Sequence, residues 1–345
     1  MSNRWPQRVG VVGLGQIGGS IAHALLQRGQ TVLGHDLDAA TRTQAQRDGL
    51  AVSDGLPALL DHCDLVVLAL PLDRYGELLP ALRTAAADHR PRVLMDVGSS
   101  SVPFRQLATD LGPCPGLTLV GSHPMAGTER SGYAAADPGL FQGCTWPVLY
   151  SASAGASALL RLMDFVLRFG ASTLLLDAPA HDQAVARVSH LPHALASSLV
   201  SSALALSAAG LHRSLAAGSF RDGSRVMHSA PGLVSAMCLA NAHALVPALD
   251  DAIAALQGLR QSLQAGDASA VIQRFDQAHR LVTEPAGGVP APATRRVQAA
   301  SEQALLEALR ACGRAGERLI TLHGPDDHGP HPCWTAELLP PHPGP

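Results

Sequence analysis

The chain opens on a short apolar run, Arg8-Val9-Gly10-Val11-Val12, that ends at a cluster of glycines. A run of this length without polar alternation predicts a strand buried on both faces of a parallel sheet. Comparable runs recur at 30–34, 64–70, 92–96, 117–121, 145–150 and 172–176. Between them, apolar residues fall at helical spacing over 16–28, 38–48, 73–87, 102–111 and 155–169. Strands that alternate with helices predict an α/β fold, a doubly wound parallel sheet of Rossmann type.

From Ala178 onward the pattern changes. Ala, Leu and Ser recur at helical spacing, no strand candidates are visible, and helices are expected at about 179–209, 231–257 and 267–283. Residues 284–293 carry the proline and glycine of a linker, and a last helix is expected over about 294–320. The end, 323–345, holds seven prolines and several histidines and is expected to be a disordered tail. The predicted organisation is a Rossmann-type domain at 1–177, an all-α C-terminal domain at 178–322, and the tail.

Composition narrows the function. Hydrophobic residues make up 47% of 345, enough for a real core. The formal net charge of −3 gives no reason to expect a nucleic-acid or membrane-surface partner. All the basic side chains other than histidine are arginine; there is no lysine. Schiff-base chemistry is thereby excluded, and an anionic substrate must be held by Arg, His or backbone N–H groups. Six cysteines include no C-x-x-C pair, and no set of ligands suggests a metal. With no signal-peptide pattern and no long apolar span, the protein is expected to be cytoplasmic.

Two loops carry candidate chemistry. The first strand leads into Gly13-Leu14-Gly15-Gln16-Ile17-Gly18, a G-x-G-x-x-G between a strand and a helix. Gly13 permits the tight turn, Gly15 leaves room for a pyrophosphate, and Gly18 lets the helix pack closely. Asp36, at the end of the second strand, is placed to bond a ribose 2′-hydroxyl and to repel a 2′-phosphate, so NAD is the expected cofactor. Asp38 is close enough to compete for that role, but reads better as the cap of the next helix. The second loop, residues 121–133, reads Gly-Ser-His-Pro-Met-Ala-Gly-Thr-Glu-Arg-Ser-Gly-Tyr and follows a predicted strand. Removing hydride from a carbinol leaves a proton to take up, and His123 is a suitable base for it.

That second loop resembles the signature of the prephenate/arogenate dehydrogenase family. The resemblance continues in Ser189-His190-Leu191-Pro192-His193 and in Gly218-Ser219-Phe220-Arg221-Asp222-Gly223-Ser224-Arg225, and covers roughly residues 8–285. It implies NAD-dependent oxidative decarboxylation of prephenate or arogenate by a homodimer. It further implies that His123 is the catalytic histidine and that Ser99, with a register uncertain by one within Ser99-Ser100-Ser101, helps to hold the ring hydroxyl. Arg225 matches an arginine that grips a substrate carboxylate, with Asp222 before it. Glu129, Asp182 and His193 match positions that shape the substrate site. One segment departs from the family: where relatives resemble S-D-P-x-x-W, this chain has Ser229-Ala230-Pro231-Gly232-Leu233-Val234. Prephenate and arogenate therefore both stay open as the expected substrate. Two other readings share the glycine loop: another hydroxyacid dehydrogenase or imine reductase, and an NAD-binding sensor without turnover.

Overall fold

A computed structural model describes residues 5–87, 89–205, 209–284, 294–324 and 333–341. Six parallel strands form the main sheet: β1 (Arg8–Val12), β2 (Thr31–His35), β3 (Ala51–Val52), β4 (Leu65–Leu68), β5 (Arg92–Asp96) and β6 (Leu117–Val120). Their order is β3-β2-β1-β4-β5-β6, so the chain reverses direction across the sheet between β1 and β4. The helices between them are α1 (Gln16–Gln27), α2 (Ala39–Arg47), α3 (Leu56–His62), α4 (Leu79–Ala86) and α5 (Val102–Leu111), with a 3₁₀ segment at Leu72–Leu78.

The unbroken apolar runs have a direct structural cause. Val9, Val11, Leu65, Val67, Val93 and Met95 face one apolar cluster, which α1 and a later helix at Ala156–Leu167 cover. Their strand neighbours Val12, Val66, Leu68 and Leu94 face a second cluster, which α3, α4 and α5 cover. Both faces are buried, so neither alternate set can be polar. Each such side chain contributes roughly 1.5–3 kcal/mol by leaving water.

Beyond β6 the chain forms β7 (Val148–Leu149), α6 (Ala156–Leu167) and β8 (Leu175–Leu176). The helical region follows. Its first helix runs through α7 (Ala178–Val185), a π turn at Ala186–His190, and α8 (Leu191–Leu204). Pro192 lies just after the π turn. Proline lacks an N–H and collides with the carbonyl four residues back in a regular helix, and one widened turn relieves both problems. Then come α9 (Ala209–Leu215), α10 (Gly218–Ser224), a 3₁₀ turn at Arg225–His228, α11 (Pro231–Ala240), α12 (Ala242–Gln264) and α13 (Ala268–Thr283). The single helix expected at 231–257 is two helices that meet at Asn241 with a bend of 95°.

The C-terminal region departs most from the sequence expectation. The described residues between 295 and 339 are not a helix followed by a disordered tail. They form β9 (Arg295–Ala299), α14 (Glu302–Arg314), β10 (Arg318–His323) and β11 (Trp334–Leu339), an antiparallel sheet in the order β10-β11-β9. Nor does this unit belong to the helical region. Leu319 and Thr173 exchange backbone hydrogen bonds, and Leu305, Leu306 and Leu309 of α14 join the same cluster as α6. The β11 residues alternate buried and half-buried, with Trp334, Ala336 and Leu338 inward. That period of two is the strand signature, hidden in the sequence by the flanking prolines. Of the predicted linker at 284–293, all but Glu284 lies outside the described residues, as does the rest of the tail.

Candidate active site

The glycine loop has the geometry of a dinucleotide cradle. Gly13 has φ +87, and a Cβ there would lie 2.3 Å from the carbonyl oxygen of Ala69. A Cβ on Gly18 would lie 1.9 Å from the Gly13 carbonyl oxygen, so the start of α1 packs directly on the turn. A Cβ on Gly15 would meet nothing within 4 Å: its absence keeps space open in front of the N-terminus of α1. Leu14 and Ile17 are buried and half-buried behind the loop. Asp36 follows β2 directly. Its Oδ2 accepts from the Leu14 N–H at 2.7 Å and its Oδ1 from the Asp38 N–H at 2.9 Å. Each oxygen keeps a second lone pair for a ribose hydroxyl. Asp38 caps α2 by accepting from Ala40 and Thr41. The loop therefore fits a dinucleotide.

The histidine loop leaves the carboxyl end of β6. The Ser122 N–H donates to Asp96 Oδ1 at 3.1 Å, and the His123 N–H donates to the Pro147 carbonyl at 3.0 Å. Asp96, the last residue of β5, is buried and also accepts from the Gly98 N–H and the Tyr75 hydroxyl. Burial outweighs these donors and pushes its carboxyl up to about 7. Further along the loop, the side chain of Gln16 and Thr128 hydrogen-bond to each other, joining the two loops.

The ring of His123 is buried against the helical region. Its Nδ1 is 3.0 Å from His181 Nε2, and His181 Nδ1 is 3.0 Å from Asp182 Oδ1. Asp182 also accepts from the Ser101 N–H at 3.0 Å and the Ser101 hydroxyl at 2.5 Å. Burial raises the Asp182 carboxyl, but hydrogen bonds from His181 and Ser101 prevail and hold it below the ordinary range. Burial, with the neighbouring His181 and His190, pushes the His123 imidazole well below its ordinary value. His123 is therefore neutral near pH 7. The Asn241 side-chain amide donates to the Asp182 carbonyl and to His190 Nδ1, tying the α11–α12 bend to the same network.

The residues marked by resemblance divide into two groups. His123 and Asp182 join through His181, but Asp182 is fully buried and turned to Ser101 and His181, where a pocket-lining position was expected. Ser99 is half-buried, while the hydroxyls of its neighbours are engaged, Ser100 with Ala240 and Ser101 with Asp182. His193 is half-buried on α8, its Nδ1 2.9 Å from the Ser189 carbonyl oxygen. Arg225, Asp222 and Glu129 are exposed, and the network through His123 does not reach them. His181 escaped the sequence reading. Its one signal is that it directly precedes Asp182, and only the fold places it against His123.

A glycine cradle at the turn after β1, and a buried neutral histidine at the end of β6, share the carboxyl edge of one parallel sheet. They define a nicotinamide-nucleotide-dependent dehydrogenase with a helical second region. A family model described as the prephenate dehydrogenase nucleotide-binding domain matches residues 21–175, and one described as the prephenate dehydrogenase dimerization domain matches 177–277. A cyclohexadienyl dehydrogenase of Zymomonas mobilis is 32% identical over 79% of this chain and 94% of its own. A prephenate dehydrogenase of Lactococcus lactis is 28% identical over 80% of this chain and 76% of its own. The crystal structure of Synechocystis arogenate dehydrogenase superposes with a TM-score of 0.66 at 27% identity, covering 79% of this chain and 97% of that one. The chain belongs to the prephenate dehydrogenase family and is an NAD-dependent oxidoreductase.

Proposed function

We propose that the chain catalyses the NAD-dependent oxidative decarboxylation of prephenate to 4-hydroxyphenylpyruvate, a step toward tyrosine. The observation that carries this reading is His123: a buried, neutral imidazole on a loop tied to the dinucleotide cradle. The proposed roles follow from charge and geometry. His123 Nε2 accepts the proton of the ring hydroxyl. Ser99 helps to orient that hydroxyl. Arg225 offers a planar fork for a substrate carboxylate, with His193, Glu129 and Asp222 shaping the approach. Gly13, Gly15 and Gly18, the N-terminus of α1 and Asp36 hold the dinucleotide. When bound, NAD supplies the acceptor for the hydride that leaves the carbinol carbon. The bond to the ring carboxylate then breaks, carbon dioxide departs, the electron pair enters the ring to leave a phenolate oxygen, and that oxygen takes the proton back from His123. Aromatisation drives the reaction, so the protein needs chiefly to position and polarise.

The proposal includes a homodimer. Val246, Ile253, Leu256 and Leu263 are exposed along α12, as are Ile272 and Phe275 on α13, and apolar stripes of this kind call for a partner. It also includes a cytoplasmic location, which suits six unpaired thiols.

The test is NADH formation by purified protein with prephenate or arogenate, for the wild type and His123→Asn. Turnover of prephenate with kcat lowered by about 10²–10⁴ in the variant supports the reading. Preference for arogenate would move the substrate assignment. No turnover of either would overturn it.

A further inference from the structure

The His123 ring nitrogen that faces away from a substrate is already spoken for. Nδ1 of His123 lies 3.0 Å from Nε2 of His181, and the rings meet edge to face, 5.2 Å between centroids at 81°. Behind His181, the ionised Asp182 can only accept, so His181 Nδ1 must carry a proton toward it at 3.0 Å. A neutral His181 then has a lone pair on Nε2, and the proton between the two rings must come from His123 Nδ1. That leaves His123 Nε2 as the free lone pair. Resting on the proposed reaction, we propose that His181 is a positioning residue that, backed by Asp182, fixes the His123 tautomer and shares the proton His123 takes from substrate.

The proton count closes without a further reactant. The substrate hydroxyl proton bonds to His123 Nε2. The His123 Nδ1 proton shifts to His181 Nε2. His181 is then the cation, hydrogen-bonded through its retained Nδ1–H to the Asp182 carboxylate. The charge has moved one ring away from the reaction and toward a buried anion. As carbon dioxide departs and the ring oxygen becomes a phenolate, both shifts reverse and His123 Nε2 returns the proton to that oxygen, which gives the phenol of the product. Buried cations are costly unless paired, so this path eases protonation of a base that burial otherwise weakens. Asp182 itself is braced by the Ser101 N–H and hydroxyl.

The other titratable groups around the pair are few. His190 from the π turn and His181 both bear on His123, His193 bears on His190, and Asp96 at the end of β5 senses the Asp182 charge. Two substitutions separate orientation from charge sharing. His181→Gln can place an amide oxygen near the former Nε2 but cannot become a cation. His181→Leu can do neither. The expected order of kcat is wild type above Gln above Leu, with the Leu variant down by about 100-fold. KM for NAD should stay within about threefold. A second cation on His181 would repel one on His123, so the pair holds a single shared proton; without a ring to share it, the acid limb of kcat/KM should move to lower pH in both variants. Equal kcat in all three proteins, or an unmoved acid limb, overturns the proposal. Should the Leu variant fail to fold, the tautomer itself decides. Nitrogen-15 NMR of the wild-type histidines near pH 7.5, without substrate, should find His123 protonated on Nδ1. Protonation on Nε2 instead refutes the proposal. That readout does not depend on which substrate is turned over, so it stands apart from failure of the proposed reaction.

Discussion

Gln16 and Thr128 hold each other by two hydrogen bonds, although 112 residues separate them. The Gln16 amide nitrogen donates to the Thr128 hydroxyl at 2.6 Å, and the Thr128 N–H donates to the Gln16 amide oxygen at 3.0 Å. One residue opens the helix at the dinucleotide cradle and the other lies five residues after His123. The pair couples cofactor site to base. Gln16→Ala should lower kcat/KM for NAD by about tenfold, and Thr128→Val by less, because its N–H survives. A double-mutant cycle should show about 1 kcal/mol of coupling. Strict additivity would deny the link.

The three glycines of the cradle should respond differently to a side chain. Gly15 has φ −70 and open space in front of it, so Gly15→Val should fold with near-normal thermal stability. The added methyls would occupy the space left for a pyrophosphate, and NAD affinity should fall by about 100-fold or more. Gly18→Val places Cβ against a backbone oxygen and should yield little folded protein. Calorimetric titration with NAD, beside thermal melts, separates the two effects. Equal loss of stability in both variants would refute the assignment.

Ala230 occupies the N-cap of α11, followed by Pro231 at the first turn, and no side chain caps this end. The aspartate of the related S-D-P-x-x-W segment would stand at that cap. Ala230→Asp should therefore stabilise the protein by about 1 kcal/mol, through a hydrogen bond to a free N–H and the favourable helix dipole. Urea unfolding measures it, and an unchanged midpoint would show that the end is satisfied otherwise.

Two buried groups tilt stability with pH in opposite directions. Asp96 keeps its proton up to about pH 7 when folded, whereas an unfolded aspartate loses it near pH 4. Across that window the folded state binds more protons, so this group's contribution falls as pH rises. Burial lowers His190 to about 4, below an unfolded value near 6.5, so its contribution grows as pH rises and is lost as pH falls through that range. Asp96→Asn removes only the first effect. Its unfolding free energy should climb more steeply than wild type between about pH 4.5 and 7, as read from urea midpoints. An identical slope would mean that Asp96 is ionised throughout.

The exposed stripe on α12 tests the dimer. Ile253 is 49% exposed in the single chain. Ile253→Glu would bury a charge in any interface formed there, at a cost of several kcal/mol. Sedimentation should show a dimer for wild type and a shift toward monomer for the variant. A monomeric wild type would contradict the proposed dimer.

Much of this molecule is legible in the chain itself. A buried parallel strand needs apolar residues on both faces, and a tight turn under a helix needs glycine. Such demands are local, so β1, the Gly13 to Gly18 cradle and Asp36 could be read in place. The histidine loop could also be found, because its residues are contiguous. Other features are not local. Asn241 breaks a helical pattern that continues on both sides of it, and only packing against His190 and Asp182 accounts for the break. The C-terminal strands lie among prolines that mask their alternating apolar residues, and they become strands by pairing with each other and with Thr173. His181 is one polar residue on an ordinary helix until the fold brings its ring to His123. Residue type and spacing determined which groups could do chemistry. Tertiary structure decided which of them meet, because hydrogen bonds and proton sharing depend on distances that span 58 residues of chain.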